Sequence, residues 1–280
     1  LDQALARSTE GQKLFDLPTL VPHPMPHQKD MLERLDVERT VHDRHRNLVV
    51  AATGTGKTVV AAFDYRNLQE RLGRRPSLLF VAHRKEILAQ ALGTYRQVLA
   101  DPDFGELHVG DERSRHWRHV FASVQSLNSQ GIEIFKPEHF DVVVIDEFHH
   151  AAARTYRKII DHFKPKELLG LTATPERADG TRVQDEFFDG RIAAELRLWE
   201  ALDADLLCPF HYFGINDETD LSGVKWTRGS YDTRALDEVL AENTARARLV
   251  FNTLIDKVSD PRKIKGLGFC VSVRHAHFMA

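Results

Sequence analysis

Cysteine is nearly absent. The 280 residues hold two, Cys208 and Cys270, far apart and with no histidines at metal-ligand spacing. That excludes a disulfide scaffold and a cysteine-based zinc site, and it fits a reducing, cytoplasmic setting. Long apolar runs are missing too: nothing approaches the roughly 18 residues that span a bilayer, so no membrane partner is expected. A strong excess of one charge is also lacking. The 38 basic and 41 acidic side chains leave a net charge of −3, which excludes a uniformly basic surface but not a local basic groove. There is no initiator methionine, no signal-peptide pattern, no fixed-period repeat and no low-complexity tract. The chain reads as a piece of a longer polypeptide, with further domains expected on both sides.

What is present is ordinary globular material, 42% hydrophobic and 28% charged. Pro18, Pro22, Pro24 and Pro26 cannot continue a helix and mark a linker or extended entry segment. Short apolar runs follow at Asn47–Ala52, Ser77–Ala82, Val120–Ala122, Phe140–Asp146 and Glu167–Leu171. They do not alternate with polar residues, so both faces are expected to be covered, as in a parallel sheet between helices. Helical patterns lie between them near 57–72, 84–100 and 154–163. This alternation predicts a doubly wound α/β sheet. A second such unit is expected from about residue 205, with strands at His211–Ile215 and Gly266–Val271 and one long helix over Arg234–Lys257. The expected organisation is an extension over 1–22, a first domain over 23–204 and the start of a second over 205–280.

Two motifs carry chemistry. Ala51-Ala52-Thr53-Gly54-Thr55-Gly56-Lys57-Thr58 leaves an apolar strand and opens a helical pattern. Glycines let the backbone come close to phosphates, and the helix presents its positive end to them. Lys57 would reach the β- and γ-phosphates, and the Thr58 hydroxyl would join a Mg²⁺ shell. The strict pattern begins with glycine, where this chain has Ala51. Further on, the run Asp141–Ile145 delivers Asp146-Glu147-Phe148-His149 at a strand's carboxyl end, where ligands bind in open α/β sheets. Asp146 would hold Mg²⁺ and Glu147 would orient and deprotonate water. Taken alone, the acidic pair also fits a solvated helix start.

Together with Thr172-Ala173-Thr174, these segments resemble motifs I (the Walker A loop), II and III of superfamily-2 helicases, in the same order and spacing. His149 in the fourth place of motif II resembles the DEAH-box variant. Pro26-His27-Gln28 is similar to the glutamine motif, in which Gln28 would read the adenine edge, although Pro24 stands where an arginine is often found. Ala82-His83-Arg84 resembles motif Ia, and Ser123-Val124-Gln125 resembles the Thr-x-x-Gln type. In the family both motifs touch the nucleic-acid backbone, which would make Arg84, Ser123 and Gln125 contact residues. Gly268–Ser272 resembles motif IV. The wording is most similar to bacterial restriction- and repair-type motors.

The resemblance implies a RecA-like P-loop domain followed by an incomplete second one. It implies ATP and Mg²⁺ as cofactors and nucleic acid as partner, DNA ahead of RNA. Ala52, Thr53, Gly54, Thr55 and Gly56 would line the phosphates with Lys57 and Thr58. Thr172 and Thr174 would report the γ-phosphate state, or else cap the chain locally as such residues do after strands. His149 would bridge motifs II and III, or be one of 15 histidines without a special task. The segment Gly110–His119, with Arg113, Arg115, His116, Trp117 and Arg118, would touch nucleic acid by charge and stacking, or form a solvated loop. No arginine-rich motif follows Phe269. Such arginines contribute ~10³–10⁵ in rate, so this piece is expected to bind ATP but hydrolyse it barely above background. The competing readings are a P-loop kinase, which should offer an acceptor pocket and lid, or a metabolic ATPase, and an ATP-gated clamp or scaffold that binds nucleic acid without unwinding it.

Overall fold

The computed structural model describes residues 22–280 apart from 152, 177–179, 218, 228, 229 and 259. The extension expected over 1–22 therefore lies, up to residue 21, outside the described residues. The chain divides into two units, one ending at Pro209 and one running from Phe210 to Ala280.

In the first unit, helix α1 (Pro26–Thr40) starts on a proline, whose fixed φ and missing N–H suit a first helical turn. Strand β1 (Arg46–Ala51), helix α2 (Lys57–Leu72), strand β2 (Leu78–Ala82) and helix α3 (Lys85–Leu99) follow. Next come β3 (Glu106–His108), β4 (His119–Ser123), the short α4 (Val124–Gln130) and β5 (Val142–Ile145). A 3-10 turn at Phe148–His150 leads to α5 (Arg154–His162), β6 (Glu167–Thr172), α6 (Val183–Phe187), β7 (Ala194–Leu196) and α7 (Leu198–Asp203). The seven strands lie in the order β3-β4-β2-β5-β6-β1-β7, and every pairing is parallel. The doubly wound α/β sheet read from the apolar runs is present.

The runs are apolar throughout because alternate residues feed two cores. Val49, Phe80, Val144 and Leu171 face α1, α2 and α3 through Leu35, Phe63 and Tyr95. Leu48, Leu79, Val143 and Leu168 face the other layer, with Leu127 of α4 and Ile159 of α5. Each such side chain contributes about 1.5–3 kcal/mol on burial. Gly170 of β6 has a separate task. A Cβ there would fall 2.7 Å from Phe148 Cδ2 and 2.8 Å from Phe188 Cζ, so only glycine lets the Phe148 turn lie flat on the sheet.

Register sets what gathers at the carboxyl edge. Val50 pairs with Thr172, Ile145 with Gly170, and Val81 with Ile145. The residues leaving β1, β2, β5 and β6 thus emerge side by side. At the opposite edge, buried Arg39 donates to both Asp64 carboxylate oxygens (2.5 and 2.8 Å) and to Glu167 Oε2 (2.7 Å). This ion cluster pins α1 to α2 and to the start of β6.

The second unit departs from expectation. The strands expected at 211–215 and 266–271 are not formed; a ladder needs neighbouring strands to satisfy its N–H and C=O groups. Instead a two-residue hairpin, β8 (Trp226–Thr227) with β9 (Ser230–Tyr231), precedes three helices, α8 (Thr233–Leu240), α9 (Thr244–Lys257) and α10 (Val273–Met279). The single long helix expected over Arg234–Lys257 breaks at 241–243. Glu242 takes a left-handed φ of 71° and the Asn243 side chain caps α9 by accepting from Arg246 N (3.0 Å), a strong start signal.

Candidate active site

The loop between β1 and α2 closes on itself. Thr55 N and Oγ1 both donate to Ala52 O (3.3 and 2.8 Å), and Ala52 N donates to Leu196 O of β7 (2.9 Å). Gly54 and Gly56 sit at φ 94° and 86°, a region that L side chains avoid. A Cβ on Gly56 would lie 2.5 Å from Gln28 Nε2. Thr53 and Gly54 are exposed at the tip, and Thr58 is half-buried in the first turn of α2. Lys57 folds back so that Nζ donates to Ala51 O (3.0 Å). Burial pushes its ammonium below the ordinary lysine value, while Glu147 and Asp146 pull it back up.

Gln28 holds this loop from outside. Its Oε1 accepts from Met25 N (2.9 Å) at the start of α1, and its Nε2 donates to Thr55 O (3.3 Å). His27 Nε2 donates to the same carbonyl (3.0 Å). Sequence reasoning passed over His27, whose signal was its place inside the Pro-His-Gln segment. The amide of Gln28 is thus committed to the loop as much as to any base.

Asp146 is buried beyond β5, its N–H donating to Val81 O (2.9 Å). Burial and the neighbouring Glu147 push its carboxyl above the ordinary value, against Glu147 N, which donates to Oδ1 (2.9 Å), and against Lys57. Glu147 has a left-handed φ of 51° that turns its side chain out of the strand line. Its Oε2 lies 3.3 Å from His149 Nδ1, which also lies 3.2 Å from Thr172 Oγ1. A carboxylate only accepts, so Nδ1 carries the proton. Thr172 Oγ1 in turn accepts from Thr174 N (3.2 Å) and donates to Thr174 O (3.1 Å). Thr172 thus caps the chain locally and also reaches the acidic pair through His149.

The residues suit a triphosphate with a divalent cation. The Gly56 cradle is one that any Cβ would fill, and the half-buried Lys57 and the buried Asp146 are charges without full compensation. Among the described residues no group of three or more His, Cys, Asp or Glu side chains could hold a metal alone. A cation here would need one or two protein oxygens, from Thr58 and Asp146, with the rest from the ligand, as Mg²⁺ prefers.

The three expected nucleic-acid contacts sit at the carboxyl edge of β2 and β4 but are not alike. Arg84 is exposed at the start of α3, and Gln125 opens on a polar groove with His108, Arg113, Ser129 and Gln130. Ser123 instead commits its hydroxyl to α4, accepting from Ser126 N (3.0 Å) and donating to Ser126 Oγ (2.9 Å), and is buried. The 110–119 loop folds around Glu106. Partial burial opposes it, but bonds from Ser114, His116 and Arg115 hold that carboxyl down to about 2. Trp117 packs on His108 and Phe135 (4.6 Å each) and lies half-buried against the core.

A family model described as type III restriction enzyme, res subunit (ResIII), matches residues 22–177, over half of the 280. The chain belongs to this ResIII family. The resemblance to superfamily-2 helicases stands. Among curated relatives, a Saccharomyces cerevisiae protein named as ATP-dependent helicase IRC3 is 30% identical over 243 residues, covering 81% of this chain and 34% of its own length. The EcoAI endonuclease subunit of an Escherichia coli type I restriction enzyme is 26% identical over 273 residues, covering 87% and 32%. The ResIII chain thus spans about a third of the length of these relatives. Among solved structures, a fragment of an HsdR subunit of a type I restriction enzyme from Vibrio vulnificus YJ016 superposes with a TM-score of 0.65 at 27% identity, covering all of this chain and 49% of that one. The first unit is accordingly a RecA-like α/β domain. No helix among the described residues is long and apolar enough to cross a membrane.

Proposed function

We propose that this chain is the ATP-binding motor core of a nucleic-acid-dependent ATPase that uses Mg²⁺ and moves along, or separates, DNA strands. The observation that carries the reading is the meeting at one sheet edge of the glycine loop, the Asp146–Glu147 pair and the His149–Thr172 link. Residues 23–204 form the nucleotide domain, and 205–280 open the second motor domain that grips the strand. Lys57 exchanges the Ala51 carbonyl for phosphate oxygens. Thr58 and Asp146 hold Mg²⁺, which supplies charge neutralisation for the transferring group. Glu147 orients water and takes its proton, while His149 fixes its carboxylate. Arg84 and Gln125 meet the nucleic-acid backbone, so base sequence is not read. DNA is preferred because relatives named as restriction enzymes act on it.

Lys57→Ala should weaken ATP binding by roughly ten- to a hundredfold, the worth of a charge-assisted bond in a site built for it. Unchanged affinity by calorimetry would place the site elsewhere. Gln28→Ala should lower the preference for ATP over GTP, and lower stability by about 1 kcal/mol because its hydrogen bonds to Met25 and Thr55 go too. Equal discrimination in both proteins would leave Gln28 only its loop-holding task. The function itself is tested by ATP-dependent displacement of a third strand from a triplex, compared with strand separation on double-stranded DNA and RNA. Displacement on DNA supports a motor. Binding without displacement would make the protein an ATP-gated clamp.

A further inference from the structure

We propose that His83 is a positioning residue that passes nucleic-acid occupancy at the start of α3 to Glu147 through a chain of rings, His83 to His150 to His149. This rests on the reading that Arg84 meets a nucleic-acid backbone and Glu147 activates water; it adds the physical route between them.

Sheet register builds the route. Val81 of β2 pairs with Ile145 of β5, and Asp146 N donates to Val81 O (2.9 Å), so the segments leaving the two strands run together. The left-handed Glu147 bends the second segment into the 148–150 turn, and Phe148, seated where Gly170 leaves room, holds that turn down. His150 is thereby laid against His83, ring centroids 5.6 Å apart and planes at 72°, an edge-to-face contact. His149 follows at 4.1 Å from His150, and its Nδ1 reaches Glu147 Oε2 at 3.3 Å. At the other end His83 is bonded in sequence to Arg84, the exposed residue at the start of α3. Five groups, Arg84, His83, His150, His149 and Glu147, thus connect the two sites without a gap, all of them in the first unit.

A second observation singles out His83 rather than its neighbours. Its Nδ1 is buried and has no hydrogen-bond partner. Buried polar atoms in native proteins are nearly always paired, and an unpaired one marks a group waiting for a partner or a place where the structure holds itself in a less favoured state. A left-handed non-glycine residue at Glu147 is a second such place. A backbone phosphate drawn onto the start of α3 would move that segment and let Nδ1 find a donor or acceptor. The ring contact then shifts His150 and His149, and with them the carboxylate of Glu147. Chemistry is accelerated only when the strand is present, and no residue along the route need touch ATP.

The test uses the full-length protein. Wild type, His83→Phe, His83→Ala, His150→Ala and the double alanine variant are compared for thermal midpoint, DNA affinity by anisotropy, basal ATP turnover and turnover at saturating DNA. His83→Phe keeps a ring of similar size and loses only the nitrogens, so it guards against a packing defect. The expected result is DNA-stimulated kcat lower by about three- to thirtyfold in every variant, the usual range for a lost coupling, with basal kcat, KM for ATP and DNA affinity unchanged. The double variant should be no worse than either single alanine, because the two residues share one path. Stimulated turnover at the wild-type level in the variants would overturn the proposal. So would losses that multiply in the double variant, an equal fall in basal turnover, or full recovery at higher DNA concentration. If wild type itself shows no stimulation by DNA, the motor reading has failed and this route falls with it, an outcome read from the wild-type arm alone.

Discussion

Glu147→Gln is expected to slow ATP hydrolysis by about 10²- to 10⁴-fold while leaving ATP bound, the scale of losing a positioned general base. The substitution is close to isosteric. Its left-handed backbone at φ 51° stays as costly as before, and the N–H that Asp146 Oδ1 accepts is main chain and remains. What changes is the side chain's ability to take a proton and to accept a charge-supported bond from His149 Nδ1, now 3.3 Å away. Lys57 and the glycine loop are untouched, so affinity measured by calorimetry should hold within a few fold. Single-turnover rates separate the two quantities. Wild-type turnover in Glu147→Gln would remove Glu147 from the chemistry and leave Asp146 to be reconsidered.

Arg39→Ala should be the most destabilising single change in the first unit, by about 3–5 kcal/mol, because it strands two buried carboxylates without their counter-ion. Three short bonds, two to Asp64 and one to Glu167, are lost together; both acids are buried, and Glu167 keeps its bond to His45. Replacing Arg39 and both acids by apolar residues of matched volume should recover much of the loss, which distinguishes a stranded-charge effect from a packing one. His45 adds a pH dependence to this corner. Its bond to Glu167, aided by Asp43, outweighs partial burial and raises its pKa above the ordinary 6.5. The stability it contributes is complete below that ordinary value and is lost as pH rises through the raised one. Urea unfolding at several pH values should show the decline in wild type and its absence in His45→Ala; a midpoint for Arg39→Ala near that of wild type would contradict the cluster's role.

The sheet was legible because each central strand is a bare apolar run buried on both faces, which needs no partner information to recognise. Helix α1 was not legible. Of the residues it buries, Gln28 and Arg39 are polar, which blurs the apolar period that Met31, Leu32 and Leu35 begin. Strands β3 and β7 are three residues each and carry no pattern of their own. In the second unit the sequence at 211–215 and 266–271 has strand composition, but composition cannot supply the neighbour that a ladder requires. The site was legible as an order of motifs, since glycines, lysine and paired acids at strand ends are chosen by local chemistry. The contacts among Gln28 and Thr55, His149 and Thr172, and His83 and His150 were hidden. They depend on strand register and on one left-handed turn, which are tertiary facts.

The account's central claim is that a nucleic acid governs ATP turnover at the Lys57–Asp146–Glu147 site. The most direct test is the steady-state rate of ATP hydrolysis by the full-length protein with Mg²⁺, measured without nucleic acid and with saturating DNA. The predicted result is a low basal rate that rises clearly on adding DNA, with the rise abolished in Lys57→Ala and in Glu147→Gln. A rate that is the same with and without DNA or RNA, or a stimulated rate that survives both substitutions, would contradict it.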